Sequence, residues 1–117
     1  MPCPVLVVED DPDVRQMMAM LLTMEGFEPT TAANGRVALD QLLAGLHPHV
    51  IVLDLMMPIM DGFQFREAQR RDPLLADIPV IVVTALSAAS ACRTHADAII
   101  PKPVDYDRLI ATVQAHC

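Results

Sequence analysis

Three short runs, PVLVV (4–8), HVIVLD (49–54) and IPVIVVTA (78–85), are apolar almost throughout and rich in β-branched residues. A strand that is apolar on both sides must be covered on both sides, and parallel sheets in α/β proteins meet that demand. The segments between the runs carry helix signals. In DDPDVRQMMAMLLTMEG, Asp11 suits the cap, Pro12 the first helical position and Gly26 the stop. Val14, Met17, Met18, Leu21 and Leu22 fall on one face at helical spacing, so these methionines read as core packing.

The remaining elements alternate in the same way. FEPTTAA (27–33) is a weaker strand, and its Pro29 places it on an edge. NGRVALDQLLAG forms a second helix with Leu39, Leu42 and Leu43 inward. DGFQFREAQRR forms a third, begun by Asp61 and Gly62. SAASACRTHADA forms a weak, alanine-rich fourth, and AII (98–100) a short strand ended by Pro101. DYDRLIATVQAH closes the chain as a helix. The order is βαβαβαβαβα. With Pro29 and Pro101 marking the two edges, the expectation is an α/β, doubly wound, five-stranded parallel sheet of order 2-1-3-4-5.

One compact domain suits 117 residues, and neither a linker nor a repeat divides them. Eight Lys and Arg face fifteen Asp and Glu, a net charge of −7, which argues against a broad nucleic-acid-binding face. The start lacks the basic and apolar regions of a signal peptide, and Asp54 interrupts the strongest apolar run, so the expectation is a cytoplasmic protein with no membrane span. Cys3, Cys92 and Cys117 match no metal motif, and reduced thiols are expected. His47, His49, His95 and His116 are scattered, and none is assigned a role.

Parallel sheets bind ligands beyond the carboxyl ends of their strands. Glu9 and Asp10 follow the first strand, Asp54 ends the third, Thr84 ends the fourth and Lys102 follows the fifth. Two carboxylates 4 Å apart at an effective dielectric near 20 repel by roughly 4 kcal/mol. Lys102 or a hard cation such as Mg²⁺ would offset that, and Mg²⁺ needs only one or two carboxylates plus phosphate. An aspartate there can act as nucleophile and become an aspartyl phosphate. Asp11 and Asp13 read instead as helix-start acids favoured by the dipole.

VLVVEDDPDVR, VIVLDLMMPIMDG, VIVVTA and PKP together resemble the response-regulator receiver domain of two-component signalling, in order and spacing over essentially the whole chain. The resemblance implies a flavodoxin/CheY-like (βα)5 fold spanning 1–117 as a single receiver domain without an output domain. It implies Asp54 as phospho-acceptor, Asp10 as direct Mg²⁺ ligand, Glu9 acting through water, and the Met56 carbonyl as a further ligand. Thr84 and the Ala85 N–H match the groups that bind the phosphoryl oxygens, Lys102 the lysine that pairs with phosphate, and the Lys102–Pro103 bond one that is often cis. A sensor histidine kinase or histidine phosphotransfer protein is the implied donor, and an unidentified downstream protein the implied partner.

Several positions depart from the family. Ile99 replaces the aromatic residue that usually reports the switch. The stretch from Thr84 to Lys102 is about one helical turn short, which predicts a short fourth helix, and His95 replaces a glycine in the left-handed region. Met56 and Leu86, flanking the phosphate, cannot orient water, which predicts slow self-dephosphorylation. Met56 also stands where a haloacid-dehalogenase-like phosphatase would need a general acid, which argues against an enzyme that turns over substrate. The alternative is a phosphate-independent, receiver-like interaction module.

Overall fold

The computed structural model describes residues 2–117. β1 (Pro4–Val8), α1 (Pro12–Met24), β2 (Glu28–Ala32), α2 (Gly35–Leu43), β3 (Val50–Asp54), α3 (Gly62–Arg71), β4 (Val80–Thr84), α4 (Ala88–Ala91), β5 (Ala98–Pro101) and α5 (Tyr106–His116) follow in the expected order. All strand pairs are parallel and the order is β2-β1-β3-β4-β5. Pro29 and Pro101 lie in the two edge strands, and the proline of the interior strand β1, Pro4, is its first residue.

Alternation along the strands divides the core into two layers. Leu6, Val8, Ile51, Leu53, Val80 and Val82 face one way and meet Ala38, Leu39 and Leu42 of α2, Phe65 of α3 and Ala91 of α4. Val5, Val7, Val50, Val52, Ile81 and Val83 face the other way and meet Met18 and Leu22 of α1 and Leu109 and Val113 of α5. Every residue of β3 and β4 is buried. No described helix is long and apolar enough to cross a membrane.

Helix ends follow their sequence signals. The Asp11 side chain accepts the N–H groups of Asp13 and Val14. Asp61 and Gln64 form a reciprocal capping box at α3. Two expectations are corrected. Met17 and Leu43 are 40% and 60% exposed, because the buried stripes centre on Met18 and Leu22 in α1 and on Leu39 and Leu42 in α2. The cysteines are not all reduced: Cys3 and Cys117 form a disulfide, since α5 returns beside the start of β1 and brings their Cα atoms to 6.1 Å. Cys92 alone is free and exposed. The fourth helix is short, as expected: α4 has four residues and runs into a 3₁₀ turn at Cys92–Thr94, stopped by His95 at φ 53°.

Candidate phospho-acceptor site

The carboxyl ends of β1, β3 and β5 bring four charged side chains together. Glu9, one residue past β1, is 1% exposed. Its Oε1 accepts from Lys102 Nζ at 2.7 Å and its Oε2 from the Asp11 N–H at 3.2 Å. Arg15, in the first turns of α1, donates to the Glu9 carbonyl at 2.9 Å and fixes the acidic turn from below. Sequence reading missed Arg15, whose only signal is its place about one turn into the helix that follows the acids. Asp10 is exposed beside this pair. Oxygen atoms of Glu9, Asp10 and Asp54 lie within 4.8 Å of one another.

Asp54 ends β3 and is 4% exposed. Its contacts are long on both sides: the Met56 N–H to Oδ1 at 3.4 Å, and Lys102 Nζ to Oδ2 at 3.4 Å. Glu9 thus has a close partner on each oxygen, whereas Asp54 keeps lone pairs free to meet a new group. Lys102, the chain's single lysine, is held by its own N–H on the Thr84 carbonyl at 2.8 Å, and the peptide bond to Pro103 is cis.

Burial decides the protonation. It pushes Glu9 up to about 7, against the opposing Lys102 and Asp11 hydrogen bonds and with added repulsion from Asp54. Burial likewise raises Asp54, opposed by Glu9 and Lys102. Burial alone would lower Lys102, but Glu9 and Asp54 outweigh it and hold the ammonium above its ordinary value. Two carboxyls and one ammonium therefore retain a proton that an incoming cation would displace. Three oxygen donors around one point, with surplus negative charge, fit a hard divalent ion.

Thr84 ends β4 and is buried. Its Oγ accepts the Leu86 N–H at 3.1 Å and makes no hydrogen bond to Asp54 among the described residues. Its own hydroxyl hydrogen thus stays available. Ala85 follows it, exposed. Met56 presents its side chain to solvent, 60% exposed.

The loop from Asp54 to α3 holds a residue under strain. Ile59 sits at φ 71° with 80% of its surface exposed. A β-branched residue in this region costs about 1–2 kcal/mol, and nothing buried repays it. Ile59→Gly is expected to stabilise the fold by about 0.5–1 kcal/mol, the gain being reduced by the entropy of the unfolded glycine chain. A denaturant midpoint that is unchanged or lowered would contradict this.

Residues 5–114 match the response regulator receiver domain family. The transcriptional regulator RpaA of Synechocystis sp. is 35% identical over 115 residues, covering 95% of this chain and 47% of RpaA. The chain thus spans about half the length of that relative. Chemotaxis protein CheY4 of Vibrio cholerae superposes with a TM-score of 0.91 at 30% identity, covering 100% of both chains. TrrA of Thermotoga maritima, solved in complex with Mg²⁺ and BeF, superposes with a TM-score of 0.86 at 29% identity, covering 98% of this chain and 99% of TrrA. With five parallel strands in the order β2-β1-β3-β4-β5, the chain belongs to the response regulator receiver domain family.

Proposed function

We propose that the chain is a phospho-accepting signalling switch. A histidine kinase or histidine phosphotransfer protein passes a phosphoryl group to Asp54, and the altered surface changes partner binding. The observation that carries this reading is the under-coordinated Asp54 carboxylate beside Lys102 and two further acids. An Asp54 oxygen attacks phosphorus, the phosphorus–nitrogen bond of the donor phosphohistidine breaks, and the departing imidazole takes up a proton. Lys102 exchanges part of its contact with Glu9 for a phosphoryl oxygen. The Thr84 hydroxyl and the Ala85 N–H donate to the others. Asp10, Asp54 and the Met56 carbonyl would hold Mg²⁺, with Glu9 joining through water. Bound there, the ion supplies the charge neutralisation that phosphoryl transfer requires. That TrrA, similar in structure, was solved with Mg²⁺ supports a Mg²⁺-dependent reading of this chain.

The protein acts on its own aspartate and is not a turnover enzyme. Incubation with a small phosphodonor and Mg²⁺ should add one phosphate by intact mass, and Asp54→Asn should add none. Decay should be slower than in a receiver with polar residues at the positions of Met56 and Leu86, since neither side chain can orient an attacking water. No phosphate from either a small donor or a kinase, on a folded protein, would favour the phosphate-independent module.

Mg²⁺ affinity should also depend on pH. The one proton that the Glu9–Asp54 pair shares, held by Glu9 up to about pH 7, must leave for the ion to bind. Affinity should fall by at least about twentyfold from pH 7.5 to 5.5. Without metal the sign is reversed for stability. A carboxyl raised from 4.5 to about 7 on folding binds more protons in the native state over that range. Stability therefore falls as pH rises from about 4.5 to about 7. Calorimetric Mg²⁺ titrations and denaturant melts across these pH values check both; a pH-independent affinity would remove the shared proton.

A further inference from the structure

The phospho-acceptor site does not account for a second charged region, on the flank of α3. Phe63, Arg66, Glu67, Arg70 and Arg71 run down one side of this helix, and Arg93 and Thr94 face them from the 3₁₀ turn. Together they line an open groove of about 470 Å³, within the range of small-ligand sites. Four of the chain's eight basic residues gather here although the chain carries −7 overall. The acids nearby are committed. Glu67 pairs with Arg71 at 2.6 Å, and Asp97 accepts the Val80 N–H at 2.8 Å. Arg70 and Arg93 make no ion pair among the described residues.

Arg66 is the most telling of the four. It is 8% exposed, and its guanidinium donates to the Thr94 and His95 carbonyls, both at 3.0 Å, and to Gln69 Oε1 at 2.8 Å. All three acceptors are neutral. Burial of this cation is costly and Arg70 beside it adds repulsion, which the Asp97 carboxylate offsets in part without forming an ion pair with it. The short fourth helix leaves this charge at the floor of an open groove. Arg93 lies over the Phe63 ring, 5.0 Å from its centroid, and offers a planar cationic surface at one end.

The geometry points to a binding site for a nucleoside diphosphate or triphosphate. Arg70 would take the phosphates in bidentate fashion above Arg66, while Arg71 keeps Glu67 neutralised at the groove's edge. The base would stack on the outer face of Arg93. The concave shape favours a small ligand over a protein surface. Because Arg66 ties the groove to the Thr94 and His95 carbonyls, an occupant would also steady the segment between Thr84 and β5.

The test is calorimetric titration of the whole chain with ADP in EDTA, so that no metal can recruit phosphate to the Asp54 site. Saturable binding is expected, weakened about tenfold by Arg70→Ala and by Arg93→Ala. Asp54→Asn should bind as the native chain does, which keeps this site separate from the phosphorylation reading. Pyrophosphate should bind more weakly than ADP. Absence of saturable binding, affinity indifferent to both arginine substitutions, or equal affinity for pyrophosphate would overturn the assignment. So would tighter binding of a polyglutamate peptide, which would make the groove a surface for acidic protein segments.

Discussion

Reduction of the Cys3–Cys117 disulfide is expected to lower the stability of the chain by about 4 kcal/mol. The bridge joins residues 114 apart and so closes nearly the entire chain into one loop. On chain-entropy grounds a loop of that length restricts the unfolded ensemble more than a short one, although native strain can reduce the gain. A loss of this size is a large part of the 5–15 kcal/mol that holds a domain together. Cys117 is exposed and Cys3 half-buried, so a mild reductant reaches the bond without prior unfolding. Cys3→Ser and Cys117→Ser should each reproduce the loss, and neither should add to the other. Cys92→Ser, at an exposed free thiol, should leave the denaturant midpoint within about 0.5 kcal/mol. Thiol titration of the oxidised chain should find one reactive group, and of the reduced chain three. Three free thiols in the oxidised protein, or a midpoint indifferent to reductant, would remove the bridge from the account.

That bridge also marks where reading the sequence stops. The fold is legible because it rests on local patterns: Val50 to Leu53 and Val80 to Val83 are apolar at every position, and such strands alternating with amphipathic helices make a doubly covered parallel sheet. The site is legible for the same reason. Glu9, Asp10, Asp54 and Lys102 each stand just where a strand leaves the core, and the topology alone carries them to one edge. Contacts that depend on how distant segments return are not legible. Nothing local says that Cys117 comes back to Cys3, or that Lys102 sits 2.7 Å from Glu9 but 3.4 Å from Asp54. Arg66 looks from its spacing like one more solvated arginine on a polar helix. It is buried because Thr94 and His95, 28 and 29 residues away, present their carbonyls to it.

Gly62→Ala is expected to destabilise the fold by about 3 kcal/mol and to slow phosphate uptake by about a hundredfold. Helix propensity points the other way, since alanine in a helix is favoured over glycine by about 1 kcal/mol. Space decides. A Cβ at Gly62 would lie 2.5 Å from the Asp54 carbonyl oxygen, 2.6 Å from Leu55 Cδ2 and 2.7 Å from Leu55 Cα. Two of those three atoms belong to the backbone, so no rotamer change relieves the contact. The Gly62 N–H also bonds to the Leu55 carbonyl at 3.0 Å, which draws the start of α3 against the end of β3. Either α3 must lift away or the peptide after Asp54 must move. Lifting α3 withdraws Phe65 from the core layer it fills, which accounts for the stability loss. Moving the peptide displaces the Met56 N–H and with it the Asp54 carboxylate, away from Lys102 and from the Glu9 and Asp10 oxygens around it. Urea melts and phosphorylation followed by intact mass, on the same preparation, separate the two effects. A variant as stable as the native chain and as quickly phosphorylated would show that the close approach of α3 to β3 does not set the position of the acceptor.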